Sequence, residues 1–341
     1  MKKYLFIAAA CSLLAFSACR KDITGFDGPN IEESLSNFRV VQPFKADRDS
    51  VFFAAGETVR FSAKFNKTVN WTITVTGLTS KAEKIITGQG KTIDVTNGVW
   101  NGSTTNFPMF KVEKCNAKLK IETVLDSFQV PVKIKTIKAN PGLVIADFEN
   151  GFNSLWTKFV QTGALMDFAI KTDAFTPQAN KYLRMAGSVN WDYLIGLIDF
   201  NAKAYGATKT LALSTNPDEV YFNCLIYGEP NTNESIVLFQ FKEDEDANGT
   251  INGNSDDQYD LEVKVNWAGW KLISVKYSDI ISLSNGQPTT PKGNSLHNPD
   301  KIGKISMLHL AAPKAAPAPA SEGFAACKID YIIFTNTPLQ P

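Results

Sequence analysis

Histidine is nearly missing from this chain. His297 and His309 are the only two among 341 residues, which excludes a multi-histidine metal centre and leaves histidine acid–base catalysis little material. Neither sign of charge predominates: 35 basic side chains stand against 34 acidic ones, a formal net charge of +1. With no basic block either, the chain does not read as a nucleic-acid binder, whose affinity comes from clustered phosphate-neutralising charge. Cysteine is scarce, at five residues, and no C-x-x-C spacing serves zinc or redox chemistry. After residue 16 no apolar run approaches the ~20 residues that a membrane-spanning helix needs. Catalytic signatures are missing too. The sequence has no G-x-S-x-G elbow, no glycine-rich phosphate loop leading into a helix, and no E-x-D-x-x-E strand. What remains is 44% hydrophobic and 20% charged, a globular composition long enough for about two domains of roughly 150 residues.

The N-terminus reads as an address. Lys2 and Lys3 precede an apolar run from Tyr4 to Phe16, then Ser17, Ala18 and Cys19. A charged start, a short apolar stretch and small residues before a cleavage point make a signal peptide over residues 1–18. Cleavage before a cysteine resembles a bacterial lipoprotein signal, although Phe16 stands where leucine is usual. That resemblance implies lipidation of Cys19 and a membrane hold through lipid. An ordinary secretory signal with an incidental cysteine is the other reading. Arg20-Lys21-Asp22 partly matches a surface-export signal, and residues 19–36 read as a polar tether. Cys11 leaves with the signal. Cys115, Cys224 and Cys327 remain, an odd number; Cys224 and Cys327 are either bridged or buried as free thiols.

From residue 37 onward, alternation dominates. Val59, Phe61, Ala63 and Phe65 alternate with polar residues, as do Val69, Trp71, Ile73 and Val75. Period two with β-branched and aromatic residues on one face predicts half-buried strands. Further strands are predicted at 38–42, 84–87, 91–95, 107–113, 117–124 and 128–137. Residues 37–138 therefore read as a β-sandwich, and Trp71 gives it a fold-level resemblance to immunoglobulin-like domains without their paired cysteines.

Ala139-Asn140-Pro141-Gly142 punctuates the chain. Beyond it, strands are predicted near 168–171, 181–186, 191–200, 208–214, 219–227, 235–242, 259–266, 270–276, 304–310 and 327–335, with no long amphipathic helix. The Ala- and Pro-rich stretch 311–320 reads as an exposed loop. The expected fold class is all-β, an immunoglobulin-like sandwich followed by a jelly-roll sandwich over 143–341.

Asp147-Phe148-Glu149, then Trp267 to Val275 with Tyr277-Ser278-Asp279, then Ile329-Asp330-Tyr331 occur in this order. In that order they resemble galactose-binding-like jelly rolls, which include many carbohydrate-binding modules. With the anchor and the first sandwich, the whole is similar to surface glycan-binding lipoproteins. The resemblance implies a structural calcium near the second domain's ends, for which Asp147, Glu149 and Asp330 match the positions. It also implies a polysaccharide or oligosaccharide ligand, an outer-membrane transport complex as partner and an outer-membrane, cell-surface location.

Two constellations come from the residues themselves. Asp244, Asp246, Asn248 and Thr250, with Gly249 at the turn, fit the first positions of a D-x-D-x-N-G calcium loop. Position twelve is Ser255, leaving Asp256, Asp257 or Asp260 to substitute; a solvated acidic turn is the bland reading. For sugar binding, flat rings and amides are needed side by side. Val220, Phe222, Cys224 and Ile226 share one strand face, so Tyr221, Asn223 and Tyr227 are expected to point outward. Trp191 and Tyr193 stand at the start of another strand, either as core or at a rim. His309 alternates with Met307 and Ile305, within reach of the same sheet; Trp267 and Trp270 read as packing. The reading is non-catalytic glycan capture. An adhesin or accessory subunit binding protein is the alternative, and a lyase or hydrolase a third.

Overall fold

The computed structural model describes residues 37–122, 124–173, 176–189, 193–229, 235–311 and 323–339. The signal peptide, Cys19, the tether and Trp191 lie outside the described residues. The fold is all-β, as expected, with helical structure confined to single 3-10 turns. Among the described residues no helix is long and apolar enough to cross a membrane.

The first unit comprises β1 (Val40–Ala46), β2 (Ser50–Phe52), β3 (Val59–Gly77), β4 (Glu83–Ile93), β5 (Val99–Trp100), β6 (Lys114–Ile121) and β7 (Ser127–Thr136). The alternating runs 59–65 and 69–75 are one continuous strand, β3. It pairs with β1 and β5 early and with β6 late, and with β4 along its length. The two runs predicted at 84–87 and 91–95 likewise join as β4. β2 pairs in parallel with β7. Phe61, Trp71, Ile73, Trp100, Leu119 and Ile134 are buried in its core. The stretch 107–113 is not a strand but a loop, and it has other work.

The second unit comprises β8 (Leu143–Ala146), β9 (Thr157–Val160), β10 (Leu165–Thr172), β11 (Lys181–Ser188), β12 (Leu194–Asn201), β13 (Tyr221–Gly228), β14 (Ser235–Glu243), β15 (Gln258–Val265), β16 (Gly269–Lys276), β17 (Leu283–Ser284), β18 (Gln287–Pro288), β19 (Ile302–Ala311) and β20 (Phe324–Thr335). They form a six-stranded sheet in the order β10-β11-β20-β13-β16, with β8 on β20, and a five-stranded sheet in the order β15-β14-β19-β12-β9. Between them lies one core, in which Phe222, Cys224 and Ile226 meet Ile198, Phe200, Val237, Phe239, Phe241 and Met307. The inward set of β13 is therefore the one that alternation selects. Cys115, Cys224 and Cys327 are buried free thiols.

The predicted strand 208–214 is absent. Leu211 is buried in the core, and its N–H donates to Ile302 O, but no ladder continues from it. A buried side chain at alternate positions imitates a strand where a loop merely plugs the sandwich.

The loop 107–111 of the first unit docks on the second. Met109 N donates to Pro177 O at 2.7 Å, Lys111 Nζ to Thr176 Oγ1 at 2.8 Å. Phe107 packs with Leu225, Tyr331, Ile333 and Leu339 on the outer face of the six-stranded sheet. This contact covers part of the outer face of the six-stranded sheet.

Candidate functional site

Tyr221, Asn223, Leu225 and Tyr227 do turn to the outer face of the six-stranded sheet, but half of that face is covered. Asn223 is fully buried. Its amide donates to Tyr221 O, Ile333 O and Thr335 Oγ1, and its Oδ1 accepts from Leu339 N at 3.2 Å. With both ends of the amide bonded and the residue fully buried, Asn223 clamps the C-terminal segment and is not a sugar contact. Leu225, its neighbour on that face, is sealed by Phe107, Tyr331 and Leu339.

Tyr227 is half-buried in an aromatic corner. Its ring meets Trp270 edge-on at 5.3 Å, and Trp270 meets Tyr182 at 5.9 Å. Lys328 Nζ lies 4.4 Å from the Tyr227 centroid and 4.8 Å from that of Tyr182. The ammonium occupies ring faces that a pyranose would need. Beside it Arg184 holds Glu229 through two bonds of 2.6 and 2.9 Å. Tyr221 is half-buried opposite Lys276 and Thr335. This corner is filled from within.

Tyr193 belongs to the other sheet, at the entry to β12, where it is 54% exposed and its carbonyl accepts from Ala311 N. His309 points into the sandwich, 2.8 Å from Ser235 Oγ, and burial pushes its pKa down to about 3. It is a neutral core residue.

The outer face of the five-stranded sheet is built differently. Thr157, Asp199, Ser306, Gln240 and Asp260 are directly opposed across all five strands, forming one polar row. On one side runs Asn201, Lys304, Lys242 and Gln258. On the other, Phe159, Leu197, Leu308, Leu238 and Glu262 form a largely apolar row. Successive rows lie two residues apart, about 7 Å.

Hydrogen bonds fix the polar row. Ser306 Oγ donates to Asp199 Oδ1 at 2.6 Å, while Lys304 Nζ and Thr157 Oγ1 each lie 3.5 Å from Oδ2. Gln258 Nε2 and Leu283 N donate to the two oxygens of Asp260. Burial raises the pKa of Asp260, and burial together with Lys304 lowers that of Lys242. Ser306 is 1% and Asp260 3% exposed, whereas Phe159 at the edge is 46% exposed. The row is a polar strip, exposed at Thr157 and buried at Ser306 and Asp260, with mostly half-buried side chains on either side. Among the described residues, no backbone hydrogen bond links the first unit to this face.

Alternation in the predicted strands marks Asp199, Ser306, Gln240 and Asp260 as outward, while the strand Thr157–Val160 lies outside the predicted ones. Their assembly into one row was not legible, because it requires the register of four strand pairs far apart in sequence.

The predicted metal residues divide. Asp244 and Asp246 come together with Asp256, one of the expected substitutes. Both oxygens of Asp244 accept backbone N–H groups, from Asn248 and Gly249; Asp246 accepts from Asn248, and Asp256 from Glu245 and Asn252. Asn248 Oδ1 accepts from Thr250 N. The turn thus satisfies its own carboxylates. Asp147, Glu149 and Asp330 share no such meeting point among the described residues. Glu149 Oε1 is taken by the N–H groups of Asn180 and Lys181. Asp330 is buried with Oδ2 unpartnered, and burial, then the nearby charges of Glu149 and Asp147, raise its pKa. The three carboxylates implied by the resemblance therefore lie near one another without all meeting within 4.8 Å, and Asp330 Oδ2 and Gln178 Oε1 are both buried without a partner.

No family model matches the chain, and no curated protein does. Solved structures that it resembles include a family 11 carbohydrate-binding module from Clostridium thermocellum in complex with a β-1,3-1,4-mixed-linked tetrasaccharide, at 15% identity and a TM-score of 0.38 over 58% of this chain and 97% of that one. A family 30 carbohydrate-binding module gives 14% and 0.35 over 58% and 89%. SGBP-B, from a complex xyloglucan utilization locus in Bacteroides uniformis, gives 12% and 0.35 over 86% and 73%. At these scores the likeness assigns no residue a role.

Proposed function

We propose that this chain is a lipid-anchored, non-catalytic binder of extended polysaccharide, and that the glycan lies along the polar row on the outer face of the five-stranded sheet. The observation that carries this reading is the in-register row Thr157–Asp199–Ser306–Gln240–Asp260. The exposed Thr157 and half-buried Asp199 and Gln240 suit sugar hydroxyl groups over a buried floor of Ser306 and Asp260, and the half-buried Leu197 and Leu238 suit CH faces. Phe159 and Tyr193 offer exposed rings at its margin. The spacing of Asp199 and Asp260 within the row supports binding rather than hydrolysis there. Asp199 and Asp260 stand three strand intervals apart, about 14 Å, whereas a glycosidase pair is separated by about 5–9.5 Å.

Electrophoresis of the protein through gels containing each of a panel of polysaccharides tests the proposal. Retardation by at least one glycan is expected; unretarded migration of folded protein through all of them would overturn it. Each sugar contact is weak, so useful affinity comes from long ligands and from many anchored copies.

The anchor rests on Lys2, Lys3, the apolar run and Cys19. Cys19→Ser is expected to move the protein from the membrane pellet to the soluble fraction and to abolish incorporation of labelled fatty acid. A variant that still takes up the label would remove lipidation at Cys19 from the proposal. Outer-membrane and surface location, and partnership with a transport complex, belong to the same reading.

A further inference from the structure

We propose that Glu243, Glu245 and Asp257 form a calcium site at one end of the second core, distinct from the acidic turn beside it and independent of any saccharide. Alternation separates the two clusters, since Glu243 and Glu245 turn one way and Asp244 and Asp246 the other. Phe241 opposes Tyr259, and Glu243 N donates to Asp257 O at 2.9 Å, so residues 243, 257 and 259 face the same end of the sandwich. One carboxylate oxygen from each of the three acids lies within 4.8 Å of the others. That is twice a calcium–oxygen distance of about 2.4 Å.

The second observation is what these groups leave unpaired. Glu243 is fully buried and its Oε2 has no hydrogen-bond partner; Glu245 Oε1 and the buried Tyr259 hydroxyl have none either. Burial, and then the charges of all three carboxylates, raise the pKa of Tyr259. The other oxygens are held in place. Glu243 Oε1 accepts from Tyr277 Oη and Asn298 N, Glu245 Oε2 from Asn294 Nδ2 and Lys301 Nζ, and Asp257 from Gly293 N and Ser295 N.

The two glutamates are thus held by one oxygen each, with Glu243 Oε2 and Glu245 Oε1 left without partners, while both oxygens of Asp257 accept backbone N–H groups. Burying such oxygens unpaired is costly. Three negative charges meet one contacting ammonium, Lys301, and a divalent cation matches the remainder. An all-oxygen donor set favours a hard cation, and waters complete calcium's six to eight ligands. One of those waters would serve Tyr259. In the neighbouring turn every oxygen of Asp244, Asp246 and Asp256 accepts a hydrogen bond, whereas here the two glutamate oxygens accept none. Because Gly293, Ser295 and Asn298 bond to the same acids, the ion would fasten the segment 293–298 over the end of β14 and β15.

Calorimetric titration of calcium chloride into the mature chain, stripped of divalent ions, tests the site, with melting temperature as a second reading. Calcium is expected to bind and to raise the melting temperature by roughly 5 °C at saturation. Glu245→Gln, at a partly exposed position that tolerates the change better than Glu243, should weaken binding about tenfold or more. Asp246→Asn, in the turn, should leave it within about twofold. No calcium binding by the wild type would overturn the proposal and leave Glu243 and Glu245 sharing a proton. Loss of binding in Asp246→Asn would overturn it in favour of the turn.

Discussion

Alanine at Asp199 is expected to abolish retardation in every gel that retards the wild-type protein. Asp199 is the hub of the polar row, accepting from Ser306 Oγ at 2.6 Å and lying 3.5 Å from both Lys304 Nζ and Thr157 Oγ1. A hydrogen bond to a charged group contributes about 1.5–3 kcal/mol, which is roughly tenfold to a hundredfold in affinity. The substitution also releases Ser306 and Lys304 from their present directions, so neighbouring contacts are lost with it. Because the side chain is on the outer face and part-exposed, the melting temperature should change little. Tyr227→Ala, in the lysine-filled corner of the other sheet, should leave retardation in place. The opposite pattern, with Tyr227→Ala losing the glycan and Asp199→Ala keeping it, would move the site to the six-stranded sheet.

The largest stability loss is expected from a single methyl group. Gly228 ends β13 where the chain passes the turn before β16, and a Cβ there would stand 1.7 Å from Trp267 O and 2.8 Å from its carbonyl carbon. Both are backbone atoms of the bend that leads into β16, whose first residue, Gly269, is in register with Gly228, as is Cys327 of β20. Relief requires β13 to part from β16, which exposes the Phe222 and Ile226 side of the core. Gly228→Ala should therefore cost on the order of 4 kcal/mol or more, a large share of the 5–15 kcal/mol that holds a domain together. Gly253→Ala is the control: open space surrounds that position, and its urea midpoint should match the wild type. An equal midpoint for Gly228→Ala would mean that the 267–269 turn shifts freely.

The two sheets show what alternation conveys and where it stops. It correctly turned Phe222, Cys224 and Ile226 inward and Asn223 outward, and it marked Phe61, Trp71 and Ile73 as core. It misread 208–214, where Leu211 fills the core without a ladder. It also divided β3 and β4, because short polar interruptions look like turns until a partner strand is seen to continue past them. For the metal residues, spacing revealed the turn at 244–250 but not the convergence of Glu243, Glu245 and Asp257. That convergence depends on β15 returning antiparallel beside β14 and on a third segment, 293–298, closing over both.

Chain order and residue type were enough to establish an all-β protein and the inward face of its strands, and to raise the expectation of a lipid anchor at Cys19. Only the folded chain decided which outward faces stay open. Asn223 and Asp199 are alike by pattern, each a polar residue between apolar neighbours on a strand. Asn223 is capped by Leu339 and flanked by Phe107's packing, segments 116 residues on and in the preceding unit; Asp199 meets only its own sheet. The period of a strand fixes the side to which a residue points, because successive Cα–Cβ bonds alternate. What arrives to cover that side is settled by long-range packing, which no local spacing records.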